Sequence, residues 1–212
     1  MIGRTWVCVL FMAGASGCSS LLQHDAPSAQ VYVLRPAPPA NARVPAAAAP
    51  TLRVGRTQSA PGLDSDRIVL MRSDHRMDYF AASRWPAPLP EVVEALAVET
   101  LRNSGVWSAV HDSRGAFPTD YFLQIDIRRF EADYTAGAVP TVHVALGCTL
   151  GRRLEQEAVE SFVAEGSATA TTNRLGAVIE AFESAVQSAL AGLAKHDAAA
   201  QKVDSPVPSM NR

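Results

Sequence analysis

Five histidines and three cysteines are the side chains of this 212-residue sequence best suited to metal or nucleophilic chemistry. Their spacing assembles neither. His24, His75, His111, His143 and His196 are scattered along the chain with no pair at ligand spacing, whereas zinc needs three or four donors converging on one point. His143 and Cys148 stand five residues apart in an alternating segment, which puts them on opposite faces of a strand. They cannot share an ion or work as base and nucleophile. No serine lies in a nucleophile-elbow sequence, and no Gly-rich phosphate loop is present. The expectation is a chain that is not an enzyme and takes no metal or cofactor, with Cys148 as a small core residue. A pocket joining a carboxylate to His143 or His111 would revive a hydrolase reading.

Cys18 has a different chemistry in prospect. The first seventeen residues carry a positive start at Arg4, an apolar run from Trp6 to Met12, then Ala13, Gly14, Ala15, Ser16 and Gly17. This is the layout of an export signal. The run is too short to span a bilayer, which takes about twenty apolar residues. Ala15-Ser16-Gly17-Cys18 resembles the lipobox at which lipoprotein signal peptidase cuts before a diacylated cysteine. Its first position usually carries Leu and here carries Ala15. The alternative is an ordinary secretory cut near Ala15 that leaves Cys18 as an exposed thiol in an oxidising compartment. With Cys8 lost and Cys18 acylated, only Cys148 would remain, so no internal disulfide is expected. Acyl chains on one cysteine bury enough methylenes, at about 0.8 kcal/mol each, to hold a protein on a membrane. Ser19 follows, and the resemblance to proteobacterial lipoproteins implies the periplasmic face of the outer membrane.

The elements that position the rest follow from periodicity. Net charge is -2 and the pI about 6.2, so nothing is basic enough to follow a phosphate backbone and nucleic acid is not an expected partner. Residues 18–50 read as a lipidated tether, a short strand at Val31-Leu34 and a Pro/Ala-rich linker from Pro36 to Pro50. Residues 51–196 read as one α+β domain, and residues 197–212 as a disordered tail. Strands are expected at Thr51-Val54, Arg67-Met71, Met77-Phe80, Val106-Val110, Tyr121-Arg128, Thr141-Leu150 and Glu157-Ala170. A helix opens after Pro88, carries Val92, Val93, Leu96, Ala97 and Leu101 on one side, and stops at Asn103-Ser104-Gly105. A second, capped by Thr172 or Asn173, carries Leu175, Val178, Ile179, Phe182, Ala185, Val186, Ala189, Leu190 and Leu193. Strands, helix, strands, helix predict a largely antiparallel sheet with two helices on one face.

Gly62-Leu63-Asp64-Ser65-Asp66-Arg67-Ile68-Val69, then Met77-Asp78-Tyr79-Phe80-Ala81-Ala82-Ser83-Arg84-Trp85, then Pro88-Leu89-Pro90, resemble the auxiliary lipoproteins of ABC-type transporters that carry MCE (mammalian cell entry) proteins, the PqiC-like family. Leu123 to Glu131 resembles that family's strand ending in Phe-Glu. The long Pro/Ala stretch before Thr51 and the turn after Leu150 depart from it. The resemblance implies a non-catalytic part in lipid transport between membranes. Its implied partners are an MCE-domain periplasmic protein and, through it, an ABC permease and ATPase. It implies no lipid, direction or oligomeric state, so a homo-oligomer stays open.

Tyr79, Phe80, Arg84 and Trp85 are the candidate partner contacts, since aromatics with polar tips favour interface centres. The competing expectation is that the aromatics pack the first helix on the sheet and that Arg84 is a solvated surface residue rather than a phosphate ligand. A different envelope machine, for cell-wall synthesis or secretion, would need the same anchor and domain.

Overall fold

The computed structural model describes residues 28–38 and 49–204. The export signal, Cys18, most of the tether, residues 39–48 of the linker and residues 205–212 lie outside them.

Nine strands and two helices follow one another as β1 (Gln30–Val31), β2 (Thr51–Val54), β3 (Gln58–Ser59), β4 (Arg67–Met71), β5 (Met77–Arg84), α1 (Leu89–Asn103), β6 (Ala109–His111), β7 (Tyr121–Asp133), β8 (Thr141–Arg152), β9 (Glu157–Thr169) and α2 (Leu175–Asp204). The fold is α+β, as the patterning predicts. β7, β8 and β9 form a long antiparallel meander, and β4 and β5 form a hairpin. These ladders make the sheet mostly antiparallel. The free edge of β7 is covered differently: β2, β3 and β4 lie along it in succession, all parallel to it. β6 adds to β2, and β1 to β5, also in parallel. Short parallel ladders have no signature in the sequence, because they depend on where a crossover returns the chain.

The inner face is built by alternation. Leu123, Ile125 and Ile127 of β7 and Val142, Val144, Leu146, Cys148 and Leu150 of β8 are buried together. Between Ile127 and Arg129 the register with β8 shifts by one residue. This bulge puts Arg128 and Arg129 both outward and returns Phe130 to the core. The strand therefore continues to Asp133, beyond the expected stop at Arg128. Arg128 lies across Gly147, where a Cβ would come within 2.6 Å of its Nε.

Helix α1 begins as expected, with Pro88 preceding it and Pro90 in its first turn, and ends on Ser104, whose hydroxyl donates to the Leu101 carbonyl. Gly105 then takes φ +66°, the left-handed turn that stops the helix. Helix α2 buries Val178, Phe182, Ala185, Val186, Ala189, Leu190 and Leu193 against β8 and β9. By length and composition it could cross a membrane, yet this stripe is already committed to the sheet. Asn173, an expected cap, instead accepts a hydrogen bond from the Tyr134 hydroxyl at 2.9 Å. The helix runs on to Asp204, through residues whose composition reads as the start of a tail. Ala198 and Ala200 favour helix, and two more turns cost little once the stripe is docked.

Closest approach falls at Gly166 of β9, where a Cβ would lie 2.0 Å from the Ala185 carbonyl oxygen. The strand therefore needs Gly there, opposite the small residues Ala185 and Ala189. Gly166→Ala is expected to push α2 off the sheet and cost about 1 to 3 kcal/mol. Phe182→Ala should cost about 3 to 5 kcal/mol, whereas Glu180→Ala on the exposed side of α2 should cost under about 0.5 kcal/mol. Urea denaturation of the three variants checks the ranking.

Candidate functional site

The segments that carry the family resemblance meet in space. After the hairpin turn, β5 leaves its register with β4: Val69 faces Tyr79 but Arg67 faces Arg84, so five steps along β5 answer two along β4. Ala82, at φ +49°, is where the excess is taken up. Beyond it, the Trp85 N–H donates to the Asp66 carbonyl at 2.7 Å, and the Leu89 N–H to the Ser65 carbonyl at 3.0 Å. Gly62, at φ +88°, turns the chain into this crossing. The Gly62 to Arg67 stretch thus serves as a backbone brace for the start of α1.

The brace delivers Trp85 to the centre of the core. Its ring is 1% exposed and makes edge contacts with Phe130 at 6.0 Å and Phe182 at 5.4 Å. Trp85 is therefore corrected from candidate partner contact to packing residue, because no surface reaches it. Tyr79 and Phe80 are half-buried against the same core, and the Arg67 guanidinium covers the Tyr79 ring at 3.5 Å. Arg84 presents its guanidinium outward, 3.6 Å from Asp66 in an exposed ion pair.

The chain before the linker is also placed. Leu34 is buried, and Arg35 is clamped to α2: its N–H donates to Glu183 at 3.2 Å and its carbonyl accepts from Gln187 at 3.1 Å. Neither contact has a sequence signal, since both partners lie about 150 positions away. Between this strap and α1 runs an open groove of about 1600 Å³. Glu94 of α1 closes one side by accepting from the Thr57 and Ser113 N–H groups at 3.3 and 3.1 Å.

On the outer face of the sheet, Arg129 pairs with Glu131 at 2.7 Å and Asp133 at 3.7 Å, and His143 stands 4.0 Å from Asp133. Cys148 lies on the inner face, and burial pushes its thiol up to about 12. It stays protonated, so it is no thiolate nucleophile. Among the described residues no group of three or more His, Cys, Asp or Glu is placed to hold a metal.

One buried group escaped the sequence reading. Asp197 is fully buried in α2, and neither carboxyl oxygen has a hydrogen-bond partner. Burial raises its pKa to about 7, opposed by the nearby Trp107 indole N–H and reinforced by the Glu160 charge. That N–H favours the ionised form although it makes no hydrogen bond of normal geometry. Beside it, His196 pairs with Glu160 at 2.8 Å and stacks on Phe162 at 4.2 Å. The signal was present: Asp197 continues the stripe four residues after Leu193, with an acid where an apolar residue is expected.

Among the described residues this arrangement braces α1 against the sheet and the strap against α2. The family described as ABC-type transport auxiliary lipoprotein component matches residues 32–196. The chain belongs to that family. A crystal structure of a Xanthomonas campestris protein assigned to family DUF330 is 25% identical, with a TM-score of 0.71 over 84% of this chain and 100% of that one. An uncharacterized protein of known structure, 13% identical, has a TM-score of 0.58 over 84% and 99% of the two chains. It shares the fold. No curated protein sequence matches. The match opens at Tyr32 and so spans the strap, the brace, the long meander and most of α2.

The buried carboxyl sets a pH dependence. Its folded pKa of about 7 lies above the ordinary 3.8, so the folded state keeps a proton that the unfolded chain has lost. This contribution is complete below pH 3.8 and is lost as pH rises through 7. Asp197→Asn removes the ionisation. Its stability advantage over wild type should grow by about 3 kcal/mol between pH 5 and pH 8, at about 1.4 kcal/mol per pH unit up to pH 7 and levelling off above it. Urea melts at both pH values measure it, and an advantage that does not change with pH would exclude a buried titrating carboxyl.

Proposed function

We propose that the protein is a non-catalytic, lipid-anchored component of an MCE/ABC-type system that moves lipid between membranes, held at the periplasmic face of the outer membrane by Cys18. The observation that carries this is the family match over residues 32–196, which begins where an unanchored domain would begin. Just ahead of it stand the lipobox-like Ala15-Ser16-Gly17-Cys18 and the short tether to Gln30. Ser19 after the cysteine supports the outer rather than the inner membrane. The domain supplies no phosphate loop, so energy comes from a partner ATPase acting through a permease, and the protein's direct contact is the periplasmic MCE protein. Arg84 keeps a surface position, in an exposed ion pair with Asp66.

In this reading attachment depends on the lipid alone. Cys18→Ser should fold with an unchanged melting temperature, take up no labelled fatty acid and appear in the soluble periplasmic fraction. Recovery of the Ser variant with outer membranes after a high-salt wash would overturn the anchor. Failure of the wild-type protein to co-purify with an MCE protein from detergent-solubilised envelopes would overturn the transport role.

A further inference from the structure

β9 borders the sheet along its whole length. It pairs with β8 on one side and, among the described residues, with no strand on the other, whereas the opposite border ends in β1 and β6, of two and three residues. The Ala170 N–H donates to the Pro140 carbonyl at 3.0 Å, which fixes the phase of the ladder between β8 and β9. In an antiparallel pair alternate residues bond the neighbouring strand, so Phe162, Ala164, Gly166 and Ala168 bond β8. Ser161, Val163, Glu165, Ser167 and Thr169 turn their N–H and carbonyl groups the other way. All five are exposed, and no described residue bonds those groups.

A free edge of this length is a template for another strand, and proteins blunt such edges with Lys, Pro, bulges or a covering segment. The five outward positions hold neither Lys nor Pro, and the register with β8 is unbroken from Thr141 to Leu150. Glu165 is their one charge. Beside the edge, α2 is slender. Ser188 lines the same small cavity as Gly166, and Ser184 and Gly192 flank it at the four-residue spacing that shares a helix side. Ser184 and Ser188 are exposed, and a Cβ on Gly192 would meet nothing within 4 Å. The helix therefore adds no bulk that would hold a second strand away.

Such an edge complements a second copy of itself when the two run antiparallel about a two-fold axis. The side chains choose the register. An axis at Glu165 sets two carboxylates directly opposite each other, which is unfavourable. An axis at Gly166 brings glycine to glycine, and sets Glu165 against Ser167 and Val163 against Thr169 of the second copy. About eight backbone hydrogen bonds then form between the copies, two for each of four outward pairs. The same axis passes α2 between Ala185 and Ala189, the residues that meet Gly166. Glu180 and Lys195 lie nearly equidistant on either side of that point, both exposed and neither in an ion pair among the described residues. In an antiparallel helix pair Glu180 of each copy faces Lys195 of the other.

From this self-complementarity we propose that the protein forms a two-fold dimer in which the β9 edges of two copies pair antiparallel about Gly166 and their α2 helices lie side by side, joined by Glu180 and Lys195. The two sheets become one, and the strap, the groove along α1 and Arg84 stay open. The inference does not rest on the transport reading.

The test uses the full-length lipoprotein in detergent, its mass followed by light scattering over a dilution series and corrected for bound detergent. Wild type should be a dimer that dissociates on dilution. Val163→Pro removes an outward N–H and leaves the ladder with β8 whole, so it should raise the dissociation constant at least about tenfold with the melting temperature within a few degrees of wild type. Lys195→Glu should raise it about fivefold, and Glu180→Lys together with Lys195→Glu should restore it, a rescue that misfolding does not produce. A wild type that stays monomeric at every concentration leaves the edge to a strand of another protein and overturns the proposal. A dimer indifferent to Val163→Pro, a larger assembly in place of the dimer, or a charge exchange that fails to restore it overturns the proposal as well.

Discussion

Three aromatic rings hold the domain together at one point. Trp85, Phe130 and Phe182 come from the end of β5, the far half of β7 and the middle of α2, with centroids between 5.4 and 6.0 Å and each ring almost fully buried. Edge-on and stacked pairs of this kind add about 0.5 to 1.5 kcal/mol beyond the area they bury. More important is what each ring demands of its own segment. Phe130 faces inward because the bulge at Arg128 reverses the alternation. Trp85 reaches the centre because the brace from Gly62 to Arg67 bends the chain away from β5. Phe182 arrives because Gly166 lets α2 lie on the strand.

The same device shapes the outer face of the sheet. Inward demand at the cluster turns the outer face of β7 and β8 into a polar surface, where Arg128 and Arg129 emerge side by side and Glu131 and Asp133 neutralise one of them. At the start of β7 the inner face is satisfied by Trp107 packed on Tyr121 at 5.4 Å, and Phe122 is left outside. An exposed aromatic in a strand is then a consequence of strict alternation next to a core that is already full.

Burial of an ionisable group runs against this pattern at one place. Asp197 sits where the stripe of α2 meets Trp107 and Cys148, and its charge is disfavoured from every side except the indole N–H and His196. A carboxyl without partners in a helix core is destabilising as an ion and nearly neutral as an acid. The cost falls on the last turns of α2, beyond the end of the family match at residue 196.

Local chemistry was legible in the chain. Alternation located β7, β8 and β9, proline and glycine bounded α1, and the helical stripe from Val178 to Leu193 identified α2, because each depends on residues within a turn or a strand of one another. The opposed faces of His143 and Cys148 followed from spacing alone. What depended on distant segments was not legible: the parallel ladders along β7, the clamp of Arg35 on Glu183, the bulge at Arg128 and the burial of Trp85. A tryptophan beside an arginine reads equally as interface or core, and only the arrival of Phe130 and Phe182 decides between them. Asp197 is the sharpest case, since its type argues for solvent and its position in the stripe for burial. The tertiary structure decided for burial, because the helix that carries it was already docked through seven apolar residues that no single carboxyl could outweigh.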